Sequence, residues 1–175
     1  METKSTIYRR SADNGFWLGL VFIIMFATMV LSEQVSLLSI VTMALFFCVP
    51  FLVFLFFRRS YNRAGYKMEY AELWVEGILS FVCGGAILAV AVYMFLKIIA
   101  PEFIVRQVDL FLYIYKDIDD GRAEEVVDIL ELNKENNAYP TPRLISIQLF
   151  LTTIFTGSIL SMVIAVLIKS LKIRR

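Results

Sequence analysis

Apolar and polar positions fall along this chain in long blocks rather than short periods. Four charge-free apolar runs occupy Asn14–Ser32, Gln34–Phe57, Gly77–Leu96 and Leu144–Ile168, with 19, 24, 20 and 25 residues. A helix needs about 20 such residues to cross a hydrocarbon core about 30 Å thick. Each run therefore predicts one membrane span, over about 14–32, 35–57, 74–97 and 143–168. Ser32-Glu33-Gln34 separates the first two, a turn so short that the spans must be antiparallel neighbours. The second ends in a phenylalanine-rich stretch around Pro50, which predicts a lipid-facing, kinked helix.

Between the third and fourth runs the pattern changes. Ile104, Val105, Val108, Phe111, Leu112 and Tyr115 recur with helical period, and Leu110, Tyr113 and Ile114 make that helix apolar on its other side too. It is expected along the membrane surface or against the bundle. Asp119-Asp120-Gly121 breaks it. A second helix follows, with Ala123, Val126, Val127 and Leu130 on one face and Glu124, Glu125, Asp128 and Glu131 on the other. Pro140 and Pro142 then lead into the last span, whose first turn tolerates a missing N–H. The architecture expected is all-α: one polytopic membrane domain over residues 1–175, four transmembrane helices, and a short external amphipathic hairpin over about 101–140.

Composition agrees. The 175 residues are 59% hydrophobic and 19% charged, with a mean hydropathy of +0.72. Soluble domains hold about 45–50% apolar and about 25% charged residues. Disordered, collagenous and secreted disulfide classes are excluded.

Charge orients the spans. Lys4, Arg9 and Arg10 precede the first; Arg58, Arg59, Arg63 and Lys67 follow the second; Lys169, Lys172, Arg174 and Arg175 follow the fourth. Loops rich in Lys and Arg stay in the cytoplasm. Both termini and the 58–68 loop are thus expected inside, and the 97–143 segment outside. On that assignment the inside carries +7 and the outside −5, while Glu76 stands at the entrance to the third span. The long first run lacks an A-x-A-like cleavage site, so it is expected as a retained span. Cys48 and Cys83 lie within spans and read as small packing residues, and histidine is absent.

Small residues mark helix-packing faces. The third span has Gly77, Gly84 and Ala91 at seven-residue spacing, with Gly85 and Ala89 beside them. The fourth has Thr153, Gly157, Ser161 and Ala165 at four-residue spacing, and the first has Gly15-x-x-x-Gly19. Such rows let backbones approach in lipid, which provides no hydrophobic drive for pairing. Spans three and four are expected to pack on each other or on a partner helix.

RAGYKMEYAELWVEGIL, a long apolar run, IAPEF, an acidic helical insert and YPTPRL succeed one another along this chain. That succession resembles a bacterial, mainly Bacteroidetes, four-span integral membrane family, domain of unknown function 4199, over essentially the whole length. The resemblance implies the same fold and topology and brings no catalytic residues. Members are often encoded near polyprenyl-phosphate glycosyltransferases, which implies a partner in lipid-linked sugar metabolism.

Candidate chemistry is sparse. Glu69, Glu72 and Glu76 share a helix face, and Glu76 is the candidate ion or proton site because ionisable groups within a span are costly and usually functional. The plainer reading places it in the first helical turns, favoured by the helix dipole and paired with Arg58, Arg59 or Arg63, with Trp74 as an interfacial anchor. Asp117-Ile118-Asp119-Asp120-Gly121…Asp128 departs from a calcium loop, with glycine one position early and Asp at the twelfth. A solvated helix break explains it better. The basic 58–68 loop reads as interfacial anchoring rather than a specific lipid site.

No catalytic residue, cofactor or metal site is expected, nor nucleic acid as a partner. The function expected is a non-enzymatic inner-membrane accessory or scaffold protein in the lipid bilayer, bound to another membrane protein. The alternative is a small homo-oligomeric transporter or channel, its path lined by Glu76 and by Thr152, Thr153, Thr156, Ser158 and Ser161 of span four.

Overall fold

Among the described residues, six α-helices account for most of the chain: α1 (Glu2–Leu31), α2 (Leu37–Arg63), α3 (Tyr70–Met94), α4 (Phe103–Lys116), α5 (Gly121–Glu135) and α6 (Pro142–Ile173). The structure, a computed structural model, describes residues 2–65, 68–116, 121–136 and 138–173. No strand occurs among the described residues. Four segments are long and apolar enough to cross a membrane: Ile7–Leu31, Leu37–Arg63, Tyr70–Ile99 and Pro142–Ser170. This is a multi-pass membrane protein. The helices outrun the apolar runs because favourable backbone hydrogen bonding continues into polar residues such as Arg9, Arg10 and Arg58.

Local chemistry sets several helix ends. At the start of α3, the Glu72 carboxylate accepts a hydrogen bond from the Glu69 N–H (3.1 Å), half of a capping box. At the start of α6 the Thr141 hydroxyl accepts from the Leu144 N–H (3.3 Å), and Pro142 takes the first helical position. After α2, Gly65 adopts φ +60°, the left-handed conformation that ends helices and that glycine takes without Cβ strain. α2 continues unbroken through Pro50. A π-helical turn, Phe95–Ile99, finishes α3 with the Ala100 N–H bonded to the Phe95 carbonyl (2.9 Å). Pro101 holds Ala100 out of the helical region, so the helix stops there.

The chain divides into two compact units. The first, Met1–Ala91 with Ile147–Arg175, is the span bundle. Its buried side chains include Leu18, Phe22, Val53, Phe57, Leu73, Phe81, Leu88 and Ile164. Within it, α3 touches all three other spans: α1 through Phe22 and Phe81 (ring centroids 6.1 Å apart), α2 through Phe57 at Gly77, and α6 through Phe81 at Gly157. The second unit, Val92–Ser146, contains α4 and α5. There Phe95 packs edge-on against Phe103 (5.6 Å), and the Lys134 ammonium donates to Asp109 at 2.6 Å across α4 and α5. Ile104 and Leu112 are buried, whereas Leu110, Phe111, Tyr113 and Ile114 are exposed. On α5, Val127 and Leu130 are half-buried but Val126 is exposed. The expected helix break at Asp119-Asp120 and the imperfect calcium loop from Asp117 lie outside the described residues, as does Lys67.

Candidate functional site

Glu76 is the seventh residue of α3, about 9 Å along the helix axis from Tyr70, and its side chain is fully buried. One carboxylate oxygen, Oε1, accepts from the Asn14 amide of α1 (3.2 Å) and from the Ser60 hydroxyl of α2. The other, Oε2, lies 3.7 Å from Arg10 Nε and accepts no hydrogen bond among the described residues. One turn on, the Ser80 hydroxyl donates to the Glu76 backbone carbonyl (2.8 Å). Ser11, beside Arg10, is also buried, and its hydroxyl finds no partner among the described residues. Three helices thus converge on a single carboxylate.

The arginine differs from the one expected. Arg58, Arg59 and Arg63 are exposed, and Arg10, 66 positions away in the chain, is the cation beside Glu76. α1 begins well before its apolar run, so the helix carries Arg10 and Ser11 on one turn and Asn14 on the next, beside α3. The three glutamates that share a face also part company. Glu69 is exposed, Glu72 caps the helix, and Glu76 enters the bundle. The Trp74 indole N–H donates to the Ser158 carbonyl of α6 (3.2 Å).

The small residues form two interfaces. On the α6 side, a Cβ added to Gly77 would meet Ser161, one on Gly157 would strike the Phe81 ring, and one on Gly85 would touch Thr153 at 3.3 Å. These pairs run antiparallel: each four-residue step up α3 matches a four-residue step down α6. Ala165 and Ser161 are fully buried, and the Ser161 hydroxyl has no hydrogen-bond partner among the described residues. On the α1 side, a Cβ added to Gly84 would lie 3.0 Å from the Gly15 carbonyl and 3.2 Å from the Gly19 nitrogen, and one on Gly15 would strike Cys83 and the Ser80 carbonyl. Gly77 and Gly84, expected as one stripe toward span four or a partner helix, serve different neighbours; Ala91 is half-buried. The two cysteines are free.

The expected polar face of span four divides as well. Thr153 and Ser161 face α3, whereas Thr152 and Thr156 are exposed. No three His, Cys, Asp or Glu side chains come together as a metal site among the described residues.

Sequence reasoning singled out Glu76 and missed Asn14, Ser60 and the role of Arg10. A signal was present: Arg10, Ser11 and Asn14 stand at the threshold of an apolar run, where a polar cluster invites a buried partner. The chain matches a known family of proteins of unknown function, DUF4199, over residues 13–170, and it belongs to that family. No curated protein and no solved structure matches it.

Proposed function

Starting from membership of a family without an assigned activity, we propose that this chain is a non-enzymatic accessory or scaffold protein of the bacterial inner membrane. Both termini lie in the cytoplasm and the α4–α5 segment lies outside, in keeping with the basic residues that flank spans one, two and four. The observation that supports a scaffold is how the bundle uses its charge. Glu76 accepts from α1 and α2 and lies beside Arg10, so the buried carboxylate ties helices together. A solute path instead needs polar side chains facing a shared aqueous route.

The partner is another membrane protein. It meets the outer faces of the bundle, because Gly157 and Gly77 are enclosed by Phe81, Phe57 and Ser161. Lipid-linked sugar metabolism is the setting the family resemblance favours. Native mass spectrometry of the protein, purified gently from its own membrane, tests this reading. A stoichiometric foreign subunit is the expected result.

One observation favours a second reading, a small homo-oligomeric transporter or channel. Glu76 Oε2 and Arg10 Nε are buried and lack hydrogen bonds among the described residues, which leaves capacity for a proton or ion. Purification without a foreign subunit, together with pH- or ion-dependent flux lost in Glu76→Gln, would establish it and overturn the scaffold.

A further inference from the structure

α6 carries a second polar row that the bundle does not use. Gln148, Thr152 and Thr156 succeed one another at four-residue intervals, and all three are exposed. They lie among Leu151, Phe155, Ile159 and Val163, which are exposed and apolar, on the opposite side of the helix from Gly157 and Ser161. The row falls inside the span Pro142–Ser170. Gln148 stands five residues beyond Arg143, about 7 Å along the axis, and no further charge occurs until Lys169. The Gln148 amide and the Thr152 hydroxyl find no hydrogen-bond partner among the described residues, while Thr156 donates back to the Thr152 carbonyl (2.8 Å).

An amide left bare in hydrocarbon is costly; a threonine hydroxyl can bond back to its own helix, as Thr156 does, but the Gln148 amide calls for a facing helix. Copies of one chain share their topology, so a two-fold axis along the membrane normal sets α6 parallel to its counterpart. Each residue near that axis then meets its own equivalent. Glutamine suits this arrangement, because each amide N–H can donate to the carbonyl of the other. Threonine hydroxyls also both donate and accept. A foreign helix would need a matching row, whereas this row matches itself. We propose that α6 forms a parallel two-fold contact with α6 of a second copy, centred on Gln148, Thr152 and Thr156. The contact is compatible with either proposed function, because it leaves Glu76 and the other outer faces free.

The test uses the full chain, purified and reconstituted in phosphatidylcholine vesicles so that no foreign protein is present. In a Cys48→Ala/Cys83→Ala background, single cysteines are placed by Ile159→Cys on the row's own face and by Phe47→Cys on the exposed side of α2. Copper-phenanthroline oxidation should link Ile159→Cys into a dimer and leave Phe47→Cys monomeric. Adding Gln148→Leu should lower the dimer yield about fivefold, equivalent to about 1 kcal/mol, while the helical circular dichroism signal is unchanged. Equal linkage at both positions would overturn the proposal. So would a yield indifferent to Gln148→Leu, which would place the amide in headgroup water.

Discussion

The two sides of α6 use similar residues to opposite ends. Toward α3, Thr153, Gly157 and Ser161 are matched one for one by Gly85, Phe81 and Gly77. Away from it, Gln148, Thr152 and Thr156 have the same four-residue spacing and remain exposed. A small-residue row becomes an interface where the facing helix presents the complementary row in register. Spacing alone is half of a lock.

The largest effect that could break this contrast comes from the inner side. Gly157→Leu drives a side chain into the Phe81 ring and is expected to cost about 3 kcal/mol, at the upper end of overpacking effects. Thr156→Leu, on the outer side, should change the stability of the detergent-dispersed monomer by less than about 0.5 kcal/mol, since it touches no neighbouring helix of its own bundle. SDS-induced unfolding followed by circular dichroism compares the two, and equal losses would show that the inner and outer faces are wrongly assigned.

A second contrast sets Glu76 against the exposed ion pair of the other unit. Glu76→Ala removes the acceptor shared by Asn14 and Ser60 and leaves Arg10, 16% exposed, without its counter-ion. A loss of about 2–3 kcal/mol is expected, somewhat below the usual cost of breaking a fully buried pair because Arg10 retains some solvent. Glu76→Gln keeps an acceptor for both donors and should recover about half of that loss. The same unfolding assay reads both variants, and an alanine variant as stable as the parent would deny Glu76 its structural role.

The Lys134–Asp109 pair is expected to have the smallest effect. Its hydrogen bond to Asp109, then the attraction of that charge, raises the Lys134 pKa above its ordinary 10.5. The pair's contribution is therefore fully present below pH 10.5 and lost as pH rises through the higher folded value. Both side chains are about half exposed, where ion pairs contribute little. Asp109→Asn should leave the melting temperature at pH 7 unchanged and remove any alkaline softening of amide exchange in α4 and α5. A large drop in melting temperature at pH 7 would contradict this assignment.

Much of the bundle was legible in the chain because its signals are local. Four apolar runs, and Pro140 and Pro142 leading into α6, act within one or two turns. Glu76 stood out because a carboxylate there has few neighbours of its own kind in the apolar run. Its surroundings were not legible. Asn14, Ser60 and Arg10 come from two other helices, and the nearby loop arginines offered a shorter path in sequence than the one taken in space.

By itself, then, the amino-acid sequence determined the number of the spans, the proline that opens the last of them and the presence of small-residue rows. Hydropathy and proline geometry depend on neighbours within a few positions. Only the tertiary structure decided which rows meet. A four-residue row advances about 40° around a helix at each step, whereas a seven-residue row falls back about 20°. Gly77, Phe81 and Gly85 consequently follow α6, while Gly84, nearly in line with Gly77, arrives beside Gly15 and Gly19 of α1. Helix crossing, which no single segment encodes, selects among rows that the sequence presents as equals.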